Sequence, residues 1–184
     1  NTAIGRDISL DELQAEYASV VLAVGAQRSQ QMGIPGEASF LEVIPATTFL
    51  KDFNLDATTK LTGTVAVVGG GSTAMDAARS ALRAGAESVH ILYRRSRAEM
   101  PAQQEEIRAA LEEGIELHEL TTPVQALGVG NHLQSVRCIK MQLTSPDEKG
   151  RRRPVPIPDT EYELSISTLL IAIGEAPDPS FLPA

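Results

Sequence analysis

Gly69, Gly71 and Ala74 stand where an apolar run, Thr64-Val-Ala-Val-Val68, gives way to an alanine-rich segment beginning Ser72-Thr-Ala-Met-Asp76. Residues of these types at this spacing can hold an anion. A first glycine permits a tight turn, a second lets backbone N–H groups approach the ligand, and the start of a helix adds a partial positive charge. Such a loop, with Gly70 inside it, is a cradle suited to a dinucleotide pyrophosphate. One strand later come Tyr93-Arg94-Arg95, with Arg97 close behind. A strand that serves a ribose 2′-hydroxyl ends here in Asp or Glu, whereas paired cations suit a 2′-phosphate. The residues therefore point to NADPH.

The other reactive side chains offer less. The chain has one cysteine, Cys138, too few for an internal disulfide, an iron–sulfur cluster or a structural zinc site. It lies in the alternating stretch Val136-Arg-Cys-Ile-Lys-Met141, which predicts an inert packed thiol. Three scattered histidines show no metal-ligand spacing, so no metal site is expected. No Ser/His/Asp or Cys/His pattern is visible, and no catalytic acid or base is assigned. The basic run Lys149-Gly-Arg-Arg-Arg153 reads as an exposed hairpin tip, with contact to a partner as the alternative.

The elements that must position the cradle are legible around it. Thr64 to Gly69, Ser72 to Ala84 and Ser88 to Tyr93 predict a strand, helix and strand, with Gly85 closing the helix. Ala74, Ala78, Ala81 and Leu82 share one helix face, so the helix can lie close to a sheet. A second helix is predicted with Pro101 near its first turn, Ile107, Ala110 and Leu111 inward, and Gly114 at its end. A third strand follows at Ile115 to Leu120. From Pro123 the pattern alternates, and Val124 to Val129, Leu133 to Thr144 and Glu161 to Ile166 predict an antiparallel meander. Upstream, Ser9 with Glu12 forms a capping-box pattern at a short helix. Ser19 to Gly25 and Thr168 to Gly174 are compact apolar runs stopped by glycine, each read as a buried strand. Gln27 to Asn54 reads as a connector with at most one or two helical turns around Ala46 to Phe53.

At 184 residues and a formal net charge of -8, the chain can bury a real core but is not built for nucleic acid or an anionic membrane. No stretch approaches the roughly 18 apolar residues of a membrane span, and no leader pattern precedes the domain, so a cytoplasmic setting is expected. The start at Asn1 and the end at Leu182-Pro-Ala184 suggest a piece of a longer polypeptide.

Taken in order, Ala23-Val-Gly25, Gly33-Ile-Pro-Gly-Glu37, Val67 to Asp76, Tyr93-Arg-Arg95, Met100-Pro101, Glu112-Glu-Gly114, Lys149 to Arg153 and Ala172-Ile-Gly-Glu175 closely resemble the small (beta) subunit of NADPH-dependent glutamate synthase and related flavin reductases. The likeness covers nearly the whole chain. It implies the α/β fold of two-dinucleotide flavoproteins: a Rossmann-like NADPH-binding domain with a central parallel sheet, flanking helices and an antiparallel β-meander. It also implies that hydride passes from NADPH to FAD, and that iron–sulfur clusters carry electrons to a large glutamate-forming subunit. By residue, it gives the pyrophosphate to Gly69, Gly71, Ser72, Thr73 and Ala74, and the 2′-phosphate to Arg94 and Arg95. It further implies that Ala172, Ile173, Gly174 and Glu175 close the cofactor site near the nicotinamide.

The family's N-terminal FAD fingerprint, its C-terminal Gly-Asp segment and its cysteine-rich region have no counterpart here. The expected division is therefore residues 1–60 as a stub of the FAD domain plus connector, 61–175 as the NADPH-binding domain, and 176–184 as the return to the FAD domain. Such a chain would bind NADPH, depend on the FAD domain of its own polypeptide, and not turn over alone. A methyltransferase-like domain for S-adenosylmethionine would need an acid where Arg94 and Arg95 stand. A non-enzymatic NADPH-sensing or subunit-contact module is the other alternative.

Overall fold

The structure, a computed structural model, describes residues 2–26, 28–55, 58–148, 150–180 and 182; Lys149 of the basic run and Pro183 and Ala184 of the C-terminal stub lie outside the described residues. The chain forms two compact units, one of residues 1–30 with 174–184 and one of residues 31–173.

In the first unit, helix α1 (Leu10–Glu16) starts at Ser9. The Ser9 hydroxyl accepts the Glu12 amide at 3.1 Å and the Glu12 carboxylate accepts the Ser9 amide at 2.8 Å, the reciprocal cap expected. Strand β1 (Arg28–Ser29) pairs antiparallel with Glu175–Ala176. The expectation of a buried strand over Ser19 to Gly25 is corrected: this stretch carries no ladder, and Val21 is 87% exposed. An apolar run becomes a strand only where a neighbour takes up its backbone N–H and C=O groups, and none does so among the described residues.

The second unit contains, in order, β2 (Val43–Pro45), α2 (Ala46–Leu55), β3 (Thr64–Val68), α3 (Ser72–Arg83), β4 (Ser88–Leu92), α4 (Gln104–Glu112), β5 (Glu116–His118), β6 (Thr121–Val129), β7 (His132–Leu143), β8 (Pro154–Pro156), β9 (Tyr162–Ser165) and β10 (Thr168–Ile171). The strand Glu175–Ala176, β11, belongs to the first unit. A five-stranded sheet runs β2-β10-β3-β4-β5, all parallel. Its central strands are apolar on both faces, as parallel strands buried on both sides must be. Val65, Val67, Val89, Ile91 and Leu170 join a core with α2, α3 and α4. The alternating Ala66, Val68, Leu92 and Leu169 join a second core with Ala126, Leu133, Val136, Cys138 and Ile166 of the antiparallel sheet. The unit is thus three layers: helices, parallel sheet, antiparallel sheet. In the third layer β7 pairs with β6 along one edge and with β9 and then β8 along the other.

Small side chains set the spacing at the centre. Ala74, Ala77, Ala78 and Ala81 of α3 are fully buried, so the helix backbone approaches the sheet closely. The helix stops at Ala84, and Gly85 takes φ +105°, a conformation costly for any side chain. Cys138 is fully buried, and burial pushes its thiol up to about 12, which makes it the inert thiol expected. No helix among the described residues is long and apolar enough to cross a membrane.

Three element readings change. Within Gln27 to Asn54, expected as a connector with one or two helical turns, Val43–Pro45 forms an edge strand and α2 runs to ten residues. The three-residue strand is too short to show a period, and its Pro45 is tolerated because an edge strand has one side free of the ladder. Pro101 lies outside α4, whose N-cap is Gln103; a short 3-10 helix at Arg97–Glu99 comes first.

An ion network ties α3 to the end of α4. Arg79 Nη2 and Arg83 Nη2 lie 2.6 and 3.0 Å from Glu113 Oε1. The bonds from Arg79 and then Arg83 hold the Glu113 carboxyl down at about 2, against an ordinary 4.5. A depressed carboxyl contributes stability that is full above its unfolded value and is lost as pH falls through its folded one. Glu113→Gln should therefore lower stability at neutral pH by about 1 kcal/mol, as befits a solvent-accessible pair. It should also flatten the acid limb of the melting temperature between pH 4.5 and 2. An unchanged acid limb would exclude the network as its source.

Candidate functional site

The glycine loop joins β3 to α3, and each of its glycines is there for a different reason. Gly69 has φ +146°, and a Cβ on it would sit 2.2 Å from the Ala172 carbonyl oxygen at the end of β10. A Cβ on Gly70 would sit 2.5 Å from Tyr93 Cε2. A Cβ on Gly71 would meet nothing closer than Pro101 Cγ at 3.9 Å, so this position faces open space. The first two glycines let strand ends and a ring close on the loop; the third leaves room for a ligand. Gly71 is also the N-cap of α3 and provides no side-chain cap. The first-turn amides at Ser72 and Thr73 have no acceptor within the helix, an arrangement able to take an anion. Ala74 is buried beneath them. The Ser72 hydroxyl donates to Glu106 Oε2 at 2.8 Å, so in this state its side chain serves α4.

The arginine turn is fixed beside this loop. The Tyr93 amide donates to the His118 carbonyl at 3.0 Å, the Leu120 amide to the Arg95 carbonyl at 3.0 Å, and the Tyr93 hydroxyl to the Glu99 carbonyl at 2.7 Å. The Ala102 amide closes onto the Gly70 carbonyl at 3.1 Å. Burial pushes the Tyr93 phenol up, and the ring braces the turn against Gly70. Its place against Gly70 is a role that sequence spacing did not reveal. Arg94 is exposed and Arg97 half-buried. Arg95 Nε is buried and has no hydrogen-bond partner. Arg95 as a whole is half-buried, and a guanidinium donor left without an acceptor carries a desolvation cost. Glu99 stands opposite, its carboxyl held below the usual range first by the Ser96 hydroxyl, with the charges of Arg152 and Arg95 adding to that. Arg152 of the basic run thus comes close to this turn. Its hairpin is anchored through Met141, whose amide donates to Leu120 at 2.7 Å.

Of the expected nicotinamide-side residues, Ala172 lies against Gly69, and Ile173 follows it, 38% exposed. Gly174 and Glu175 fall in the other unit, where Gly174 O accepts the Gln30 amide at 3.0 Å and Glu175 pairs with Ser29.

The fold, the uncapped glycine loop and the arginine turn can be set beside known proteins. The family model for pyridine nucleotide-disulphide oxidoreductase matches residues 5–184. The chain belongs to this family. It is 48% identical over 184 residues to the NADP(+)-dependent formate dehydrogenase subunit beta of Moorella thermoacetica, covering 99% of this chain and 26% of that protein. Identity to the NADPH-Fe(3+) oxidoreductase subunit beta of Geobacter sulfurreducens is 44% over 188 residues, covering 100% and 28%. The glutamate synthase [NADPH] small chain of Halomonas elongata follows at 33% over 186 residues, covering 96% and 39%. Among solved structures, Mycobacterium tuberculosis FprA in complex with NADPH superposes with a TM-score of 0.77 at 18% identity, covering 94% of this chain and 53% of that one. That likeness establishes the fold. The chain spans about a quarter of the length of the first two relatives. The resemblance to the glutamate synthase small subunit holds, and it is shared with subunits named for other reactions.

The three histidines are not equally isolated in space. They are far apart in the chain, yet strand pairing brings His90 Nδ1 to 3.0 Å from His118 Nε2, with Glu116 beside both. The third, His132, is bonded to Glu42 at 2.8 Å.

Proposed function

We propose that this chain is the NADPH-binding domain of a flavoprotein oxidoreductase, the part that accepts NADPH and presents it to FAD held elsewhere in a longer polypeptide. The observation that carries the reading is the uncapped glycine loop, open at Gly71 and packed through Gly70 on Tyr93, the residue that leads into Arg94 and Arg95. In this reading the amides of Ser72 and Thr73 bind the pyrophosphate, and Gly71 gives it room to approach. Arg94 and Arg95 hold the 2′-phosphate, while Tyr93 keeps the loop and the turn in register. Ala172 and Ile173 border the nicotinamide end. NADPH, when bound, supplies the hydride; the residues of this chain supply position and charge. In this reading no acid or base is assigned among the described residues, and alone the chain binds without turnover.

In the parent protein, iron–sulfur clusters and a further subunit would carry the electrons onward, with a glutamate synthase large subunit as one such partner. The relatives are named for formate, Fe(3+) and glutamate synthesis. That variety supports a shared electron-input module whose acceptor is set by what it is joined to. Calorimetric titration of this chain with NADPH, NADH and S-adenosylmethionine tests the reading. NADPH should bind at 1:1, NADH at least about tenfold more weakly for want of one charge-assisted contact, and S-adenosylmethionine not at all. Equal affinity for the two nicotinamide nucleotides would refute it.

A further inference from the structure

We propose that His90, Glu116 and His118 form a binding site for a borderline divalent cation of the Zn2+ class, built from side chains that the nucleotide reading does not use. β4 and β5 are parallel neighbours in which His90 stands opposite Glu116 and Leu92 opposite His118. Glu116 and His118 are two residues apart on one strand, so they share a face, and the register puts His90 on it as well. The three ligand atoms close a triangle. His90 Nδ1 to His118 Nε2 is 3.0 Å, His90 Nδ1 to Glu116 Oε2 is 3.4 Å, and His118 Nε2 to Glu116 Oε2 is 3.7 Å. Zinc–nitrogen bonds of 2.0–2.1 Å at tetrahedral angles require ligand atoms about 3.3 Å apart. The observed separations bracket that value, and shifts of a few tenths of an ångström would seat the ion.

The backbone does most of the preorganisation, since both strands are held in the sheet and the rings are fixed at 5.0 Å between centroids. β5 is an edge strand and Glu116 is 65% exposed, while His90 and His118 are 12% and 23% exposed. The site is therefore floored by imidazoles and open on the carboxylate side, which leaves the fourth position to water. Two imidazole nitrogens with one carboxylate oxygen are a donor set that suits Zn2+ and its neighbours better than Mg2+ or Ca2+. Lys140 is the opposing charge nearby, and it is engaged elsewhere: its Nζ donates to Thr121 Oγ1 at 3.2 Å and lies over the Tyr162 ring. The competing explanation is a plain hydrogen bond between the two imidazoles.

Titration with Zn2+ alone, without nucleotide, separates the two and does not depend on the cofactor reading. The wild-type chain should bind one Zn2+, with affinity falling at least tenfold in His90→Ala and in His118→Ala, each checked by circular dichroism for an intact fold. His132→Ala, which removes the histidine outside the cluster, should leave it unchanged. Glu116→Gln alters an exposed side chain and should weaken binding several-fold even if a histidine variant misfolds. Co2+ bound in place of Zn2+ should show the intense visible bands of a tetrahedral site. Wild-type affinity no higher than that of the His90→Ala/His118→Ala double variant, or equal loss in His132→Ala, would overturn the proposal.

Discussion

Gly69→Ala is expected to destabilise the domain by about 4 kcal/mol, adding the strain of a forbidden backbone region to overpacking in a tight contact. Both causes act at one atom. At φ +146° an L side chain is strained wherever it points, and here its Cβ would sit 2.2 Å from the Ala172 carbonyl oxygen. That neighbour is backbone of a central strand, so no flexible side chain can yield. The Ala172 amide is itself bonded to the Val68 carbonyl at 2.8 Å, one residue before the glycine, and the Gly69 amide to the Leu92 carbonyl at 3.1 Å. A shift at Gly69 therefore drags β3, β4 and β10 together. A fall in melting temperature of roughly 10 °C should follow in a domain of this size. NADPH affinity should drop more than tenfold in whatever fraction stays folded. Gly71→Ala is the informative comparison: with only Pro101 within 4 Å, it should cost little stability and act on nucleotide binding alone. A Gly69→Ala protein as stable as the Gly71→Ala protein would contradict this description of the loop.

Arg95→Ala is expected to weaken NADPH binding by roughly ten- to over a hundredfold, the loss of about 1.5–3 kcal/mol from a charge-assisted bond. NADH, which carries no 2′-phosphate, should be affected within about threefold, a few tenths of a kcal/mol. The same substitution carries a second signature. In the free protein Arg95 Nε is buried without an acceptor, so removing it takes away an uncompensated donor. Stability of the nucleotide-free chain should then stay constant or rise slightly. A structural arginine would behave in the opposite way, losing stability and both nucleotides together.

How much of this could be read before the fold was known depends on where the information lies in the chain. The cradle was legible because a strand, a glycine turn and an alanine-rich helix are consecutive, and local spacing reports local geometry. The same holds for the α/β fold and the alternation of β6, β7 and β9. Features built from distant segments were not legible. Tyr93 across Gly70, Arg152 near Glu99, and His90 beside His118 each depend on strand pairing that no short window contains. Val43–Pro45 gives no sequence signal because three residues carry no period, and the run around Val21 has a strand's hydrophobicity without the neighbouring strand that would make it one. The reason for the first glycine also changed. Its conformation serves the contact with Ala172, while the open space beside the loop lies at Gly71.

The most direct test of the central claim is the ratio of NADPH to NADH affinity, measured by calorimetry at one salt concentration for the wild-type chain and for Arg95→Ala. The account predicts a wild-type preference for NADPH of at least about tenfold that collapses toward unity in the variant, with NADH affinity nearly unmoved. A preference that survives the substitution, or equal losses for both nucleotides, would contradict it.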